Sequence, residues 1–97
     1  MPFEWDEGKA RRNLNKHGIP FDRVITAFDD PFALIAPDDM HSSPEEIREW
    51  LIGESDNGVL VVVFTMREQE QIYRIISARR ANRREKRRYE EYKRISL

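Results

Sequence analysis

Four arginines in the second half of the chain, Arg67, Arg74, Arg79 and Arg80, are of the residue type best suited to gripping a phosphate. Arginine offers a planar, permanently charged fork of donors that matches phosphate oxygens. Arg79 and Arg80 stand where an alternating apolar run, Ile72 to Ala78, gives way to a charged helical one, so their guanidinium groups fall where a sheet edge meets a helix start. Adjacent strand residues face opposite ways, so at most one of the two looks into a given site. Lys16 and His17 end an earlier helix, where the dipole favours their cationic forms, and an imidazole titrates near neutrality, as an acid or base must. Glu68, beside Arg67, is a candidate base. Arg83 and Arg84 extend the positive charge, and Tyr89 has a ring able to stack on a nucleic-acid base. Each residue also has a plainer reading: a surface arginine, a histidine packed at a helix end, a turn glutamate facing water, a tyrosine docking its helix on the sheet.

The elements that must position these groups are legible in order. Phe3-Glu4-Trp5 alternates as a short strand or extended arm. Asp6 offers an N-cap, Ala10, Leu14 and His17 recur at helical spacing, and Gly18 follows as a stop, which predicts a helix from Glu7 to His17. Phe21, Val24, Ile25 and Phe28 predict a second short helix, ended by Asp29-Asp30-Pro31. Phe32 to Ala36 reads as a strand, Pro37 to Pro44 as a polar loop, and Trp50 to Glu54 as a strand, with Glu45 to Glu49 ambiguous. Asn57-Gly58 predicts a type I′ hairpin, leading into Val59 to Met66 as the inner strand. Strict alternation in the next strand sets Ile72, Arg74, Ile76 and Ala78 on one face and Tyr73, Ile75, Ser77 and Arg79 on the other. The last three strands form an antiparallel meander. From Arg80 onward, Lys86/Glu90, Arg87/Glu91 and Glu90/Arg94 fall at i,i+4 spacing and predict a basic helix. The expected class is α+β: two N-terminal helices on a three- to four-stranded antiparallel sheet, followed by a basic C-terminal helix.

The totals narrow the possible chemistry. Ninety-seven residues, 39% hydrophobic and 36% charged, make one folded domain with a heavily charged surface. The net charge of -1 conceals a dipole in sequence: Met1 to Gly58 holds 6 Lys and Arg against 13 Asp and Glu, and Val59 to Leu97 holds 11 against 5. A basic C-terminal part suits a polyanion partner. With no cysteine, disulfides, thiolate zinc sites and thiol nucleophiles are excluded, and His17 and His41 lack the spacing of a metal pair. The chain is expected to be cytoplasmic, without a membrane span, a metal or another cofactor.

The order of elements resembles the RelE-like fold of small ribonuclease toxins. More specifically, FEWDEGKARRNLNKHGI at the start, FDDP ending at Pro31, LIG at Leu51 to Gly53, VVV at Val61 to Val63 and RIISARRANRREKRRYEE near the end are similar to the BrnT family of type II toxin-antitoxin modules. This likeness covers residues 3 to 91. It implies a growth-inhibiting endoribonuclease, neutralised by a BrnA-like antitoxin with a ribbon-helix-helix DNA-binding domain, in a heterotetrameric complex that represses its own operon. One departure is Pro20, where relatives tend to have Ser or Thr capping the second helix; the side-chain cap is lost at roughly 1 kcal/mol.

RNA cleavage by attack of the 2′-OH needs a base for that hydroxyl, cations for the phosphate that gains charge, and an acid for the 5′ leaving oxygen. The residues in hand assign Arg67 and Arg79 to the phosphate, Lys16, His17 or Glu68 to proton transfer, and Arg74, Arg80, Arg83, Arg84 and Tyr89 to holding RNA. Two other classes stay open: a non-catalytic nucleic-acid-binding module using the basic helix alone, and a structural subunit whose basic helix meets an acidic partner.

Overall fold

The computed structural model of the protein describes residues 2–67, 69 and 71–97. Its elements are β1 (Phe3–Trp5), α1 (Glu7–His17), α2 (Phe21–Val24), a 3-10 turn (Ile25–Asp29), β2 (Leu34–Pro37), a second 3-10 turn (Asp39–His41), β3 (Arg48–Ser55), β4 (Gly58–Arg67), β5 (Ile72–Arg80) and α3 (Arg83–Ser96). The run Leu60 to Phe64 is apolar in both phases of the strand period, and it forms the middle of a sheet ordered β1-β5-β4-β3-β2. One face carries Leu51, Leu60, Val62, Phe64, Ile75 and Ala78 under Ile19, Phe21, Val24 and Ala27. The other carries Ile52 and Val61 under Tyr89 of α3. The α+β class and the basic C-terminal helix are as expected.

The sheet is larger than expected and is mixed. The antiparallel part runs from β2 to β5, but the aromatic arm β1 adds a fifth strand parallel to β5, with Phe3 opposite Tyr73 and Trp5 opposite Ile75. Its rings supply the reason: Phe3 packs on Phe28 and Tyr73, and Trp5 meets the Phe21 ring edge to face. The second expected helix is a single turn followed by a 3-10 turn. Pro20 gives no side-chain cap, and the Thr26 hydroxyl donates to Arg23 O at 2.7 Å while accepting from Asp56 N–H, which tightens the chain after the first turn. The hairpin turn also differs: Ser55 pairs with Gly58, so Asp56 and Asn57 are its central residues, and of the turn only Gly58 has positive φ, at 89°. That pattern suits a turn followed by a left-handed glycine rather than type I′.

Both caps of α1 are as read from sequence: the Asp6 carboxylate accepts from Lys9 N–H at 2.9 Å, and Gly18 is left-handed with its N–H on Leu14 O. Its inward face is rotated from the expected one. Leu14 is 45% exposed, and the buried residue is Asn13. The cause lies in β5, whose outer edge is covered by β1 only at Tyr73 to Ile75. Beyond that point Asn13 Oδ1 accepts from Ala78 N–H at 3.1 Å, and its amide donates to Ile19 O at 3.2 Å. A polar helix residue thus satisfies the backbone at a sheet edge.

Asp30, within the FDDP motif, is the knot between the layers. Its carboxylate accepts from Phe32 N–H at 2.9 Å, from Glu54 N–H at 2.8 Å and from the Tyr89 hydroxyl. Burial alone would raise its pKa, but these donors, with Lys93 nearby, hold it below 3.8. Asp30→Ala should therefore lower stability by roughly 2–4 kcal/mol, because three donors lose a charged acceptor and one of them is on a buried tyrosine. Urea unfolding at pH 7 measures this. A depressed folded pKa places the stabilisation above pH 3.8 and removes it as pH falls through the folded value, so wild type and variant should converge in acid. Gly53 of the LIG motif has an equally local cause: an added Cβ would lie 2.9 Å from Ala27 O, backbone that cannot swing aside.

Candidate active site

The sheet face that carries Tyr89 is only half covered by α3. The uncovered half forms the floor of a cleft of about 1010 Å³, bounded by α1, the turn after β2 and the first two turns of α3. Trp50, Ile52, Val61 and Val63 make an apolar floor. Lys9, Arg12 and Lys16 from α1, Arg79 from β5, and Arg84 and Arg88 from α3 bring six cations to the walls, together with His17 and His41. The acidic lining residues are Asp38 and Glu85, and both are engaged: Asp38 with His41 at 2.9 Å, Glu85 with Arg79 at 2.7 Å. Such a surface, positive walls over an apolar floor, suits a ligand that alternates phosphate with flat apolar rings.

Arg79 reaches this cleft because β5 carries a bulge. Val63 pairs with Ser77 and Phe64 with Ile75, so Ile76 is the extra residue and the strict alternation expected for the strand breaks there. Tyr73, Ile75 and Ala78 consequently all serve the core under α2, whereas Arg74 and Arg79, expected on opposite faces, share the cleft face. Arg79 then meets α3, whose start is fixed by a reciprocal cap: Asn82 Oδ1 accepts from Glu85 N–H at 2.8 Å and Glu85 accepts from Asn82 N–H at 2.9 Å. The same Glu85 carboxylate takes both Arg79 Nη groups, at 2.7 and 2.8 Å. This bidentate bond is the main reason that the Glu85 pKa is lowered and the Arg79 pKa raised. Nη1 also donates to Arg80 O at 3.3 Å, and of the five donors of a guanidinium those not spent on Glu85 or this carbonyl stay available to a phosphate.

Of the residues singled out from sequence, Lys16, His17, Arg79 and Arg84 are brought together here. Arg67 is not among them. It lies on the same sheet face, six residues beyond the Val61 that pairs with Arg79, about 20 Å along the strand, and contacts Glu46 at 3.5 Å. The two guanidinium groups are held by different carboxylates and do not converge in the cleft. Arg74 is opposite Glu4 in the register and ion-paired to it. Arg80 turns to the other side, towards His17 O at 3.4 Å, in keeping with opposed neighbours on a strand. Arg83 is exposed outside the cleft lining. Tyr89 is 2% exposed, with its ring in the second core and its hydroxyl on Asp30, so its place is in docking α3 and no ring face is open to a base. Glu68 lies outside the described residues.

Three contributors were not evident from sequence. Trp50 reads there only as a strand residue, yet it supplies the aromatic part of the floor. Asn13 carries the β5 edge, and its one signal is a helix-disfavouring residue in mid-helix. His41, which in sequence shows only that it lacks the spacing of a metal pair with His17, is held by Asp38 three residues earlier, with Nδ1 donating to the carboxylate at 2.9 and 3.0 Å. Among the described residues no cluster of three or more His, Cys, Asp or Glu is placed to hold a metal ion, and no helix is long and apolar enough to cross a membrane.

Comparison with curated proteins gives no match. The family model described as the ribonuclease toxin BrnT of type II toxin-antitoxin systems matches residues 5–85, a span that takes in α1, the whole β2 to β5 meander and the Asn82–Glu85 cap of α3. The chain therefore belongs to the BrnT family of ribonuclease toxins of type II toxin-antitoxin systems.

Proposed function

We propose that the protein cleaves RNA in this cleft by attack of a 2′-OH on the adjacent phosphate, without a metal, and that the cationic walls hold and stabilise that phosphate. The observation that carries the reading is the arrangement of six cations from three separate elements around one apolar floor, where Glu85 engages Arg79 and Asp38 engages His41, so that the two lining carboxylates leave the other five cations to a ligand. Such walls repel a divalent cation and attract a phosphodiester, and preorganised guanidinium and ammonium groups serve as the charge stabiliser that a metal would otherwise supply. A base can lie on Trp50, while Arg79, Lys16 and Arg84 address the phosphate and a cleft histidine moves protons. Arg67, Arg74 and Arg83 act outside the cleft, along the path of a longer strand.

The antitoxin that membership of a type II system supplies is, in this reading, BrnA-like with a ribbon-helix-helix domain. It assembles with the toxin as a heterotetramer that binds operator DNA. It neutralises the toxin by covering the basic α3 side of the cleft, where Tyr92 and Ile95 are exposed apolar neighbours. Cytoplasmic action follows from an RNA substrate.

The walls can be tested through salt. Binding of a 2′-deoxy-substituted, uncleavable RNA should weaken with salt along a log-log line, and replacing Lys9, Arg12 and Lys16 with Gln should lower the slope by about 2, at roughly 0.7 per phosphate contact. An unchanged slope would remove α1 from the RNA path. Strong binding by wild type with no cleavage of the unmodified RNA would support the binding-module alternative.

A further inference from the structure

The cleft holds one side-chain pair with the geometry of a proton-transfer device. We propose that His41 is the general base of the reaction, with Asp38 as its positioning residue; this rests on the reading of the cleft as the RNA-cleaving site.

Both Asp38 oxygens lie within 3.0 Å of His41 Nδ1. A carboxylate only accepts, so Nδ1 carries the hydrogen and the lone pair is placed on Nε2. Exposure divides the pair in the sense a base requires. The Asp38 side chain is 12% exposed and that of His41 63%, so the orienting group is sheltered and the ring is within reach of a substrate. The turn beneath is fixed by its own hydrogen bonds. Asp38 N–H donates to Arg48 O at 2.8 Å, the Ser42 hydroxyl donates to Asp38 O at 2.7 Å, and Arg48 N–H donates back to that hydroxyl at 2.8 Å. β3 thus anchors, through Arg48, the turn that carries His41 and Asp38.

The rest of the cleft supplies what the pair lacks. In the proposed step Nε2 of His41 takes the 2′-OH proton, the 2′ oxygen forms a bond to phosphorus, and the bond from phosphorus to the 5′ oxygen breaks. The leaving oxygen takes a proton from a protonated group on α1, His17 or Lys16. The products are a 2′,3′-cyclic phosphate and a 5′-OH end. Asp38 also compensates the imidazolium that forms opposite the cations Lys9, Arg12 and Arg79, which would otherwise oppose it.

Single-turnover cleavage, with binding of the 2′-deoxy RNA measured in parallel, tests the pair. His41→Ala should cut the rate by about 10²–10⁴-fold with analogue binding and thermal stability unchanged, and added imidazole should restore part of the rate. Asp38→Asn should lower the rate at least about tenfold, and the ¹⁵N spectrum of His41 should show the Nδ1–H tautomer of wild type replaced or mixed. A His41→Ala rate within twofold of wild type, or a loss matched by lost analogue binding, would overturn the assignment while leaving the cleft reading in place. Wild-type protein that fails to cleave RNA in EDTA would instead overturn metal-free cleavage itself, and the His41→Ala comparison with metal present would then still decide the pair.

Discussion

Val62→Asp is expected to leave the protein unfolded. Val62 is fully buried at the centre of β4, between Leu51 of β3 and Ala78 of β5 in the register and beneath the α2 layer. A carboxylate there has no donor to meet it. Burying an unpaired polar group costs several kcal/mol, more if it stays charged, whereas a small domain has only about 5–15 kcal/mol in total. The substitution acts on the strand that joins both halves of the sheet, so no peripheral element can be shed to relieve it. Far-ultraviolet circular dichroism and urea titration of the purified variant decide the matter; soluble protein with a wild-type two-state transition would mean that β4 is not the inner strand.

That strand was legible because its signal is short-range: a continuous apolar run after a glycine turn has few alternatives. The α1 boundaries were legible for the same reason, since Asp6 and Gly18 act within one turn of the helix they bound. What escaped reading depends on neighbours distant in sequence. The bulge at Ile76 is a matter of register against Val63 and Phe64, and missing it set Arg74 and Arg79 on opposite faces. The inward turn of Asn13 answers an uncovered edge of β5, a demand invisible within the helix itself. The parallel docking of β1 joins residues some seventy positions apart. For the candidate site, residue types were readable and their grouping was not. Arginine for phosphate is sound chemistry at Arg67 and at Arg79, yet β4 holds the two about 20 Å apart, and the histidine with an ordered carboxylate proved to be His41, in a loop without periodic pattern.

Arg79→Ala is the second large effect. Loss of one preorganised charge stabiliser should lower RNA cleavage by about 10²–10³-fold and abolish growth arrest on expression. The fold should persist. Glu85 loses its bidentate partner but keeps the Asn82 cap, and the pair lies at the protein surface, with side chains 43% and 22% exposed, where an ion pair contributes about 1 kcal/mol or less. Arg67→Ala should weaken activity through a different contact, so the two losses should multiply in the double variant rather than saturate. Saturation would mean that both guanidinium groups act on one phosphate, against their separation along β4. A folded Arg79→Ala protein that still arrests growth would remove this residue from the site.

The most direct test of the central claim is incubation of purified, antitoxin-free protein with a defined RNA in EDTA, with analysis of the fragment ends. Cleavage in the cleft by 2′-OH attack predicts fragments ending in a 2′,3′-cyclic phosphate and beginning with a 5′-OH, no cleavage where the 2′-OH is replaced by hydrogen, and loss of product with Arg79→Ala. Intact RNA in EDTA that is cut only after a divalent cation is restored, or fragments carrying 5′-phosphates, would contradict it.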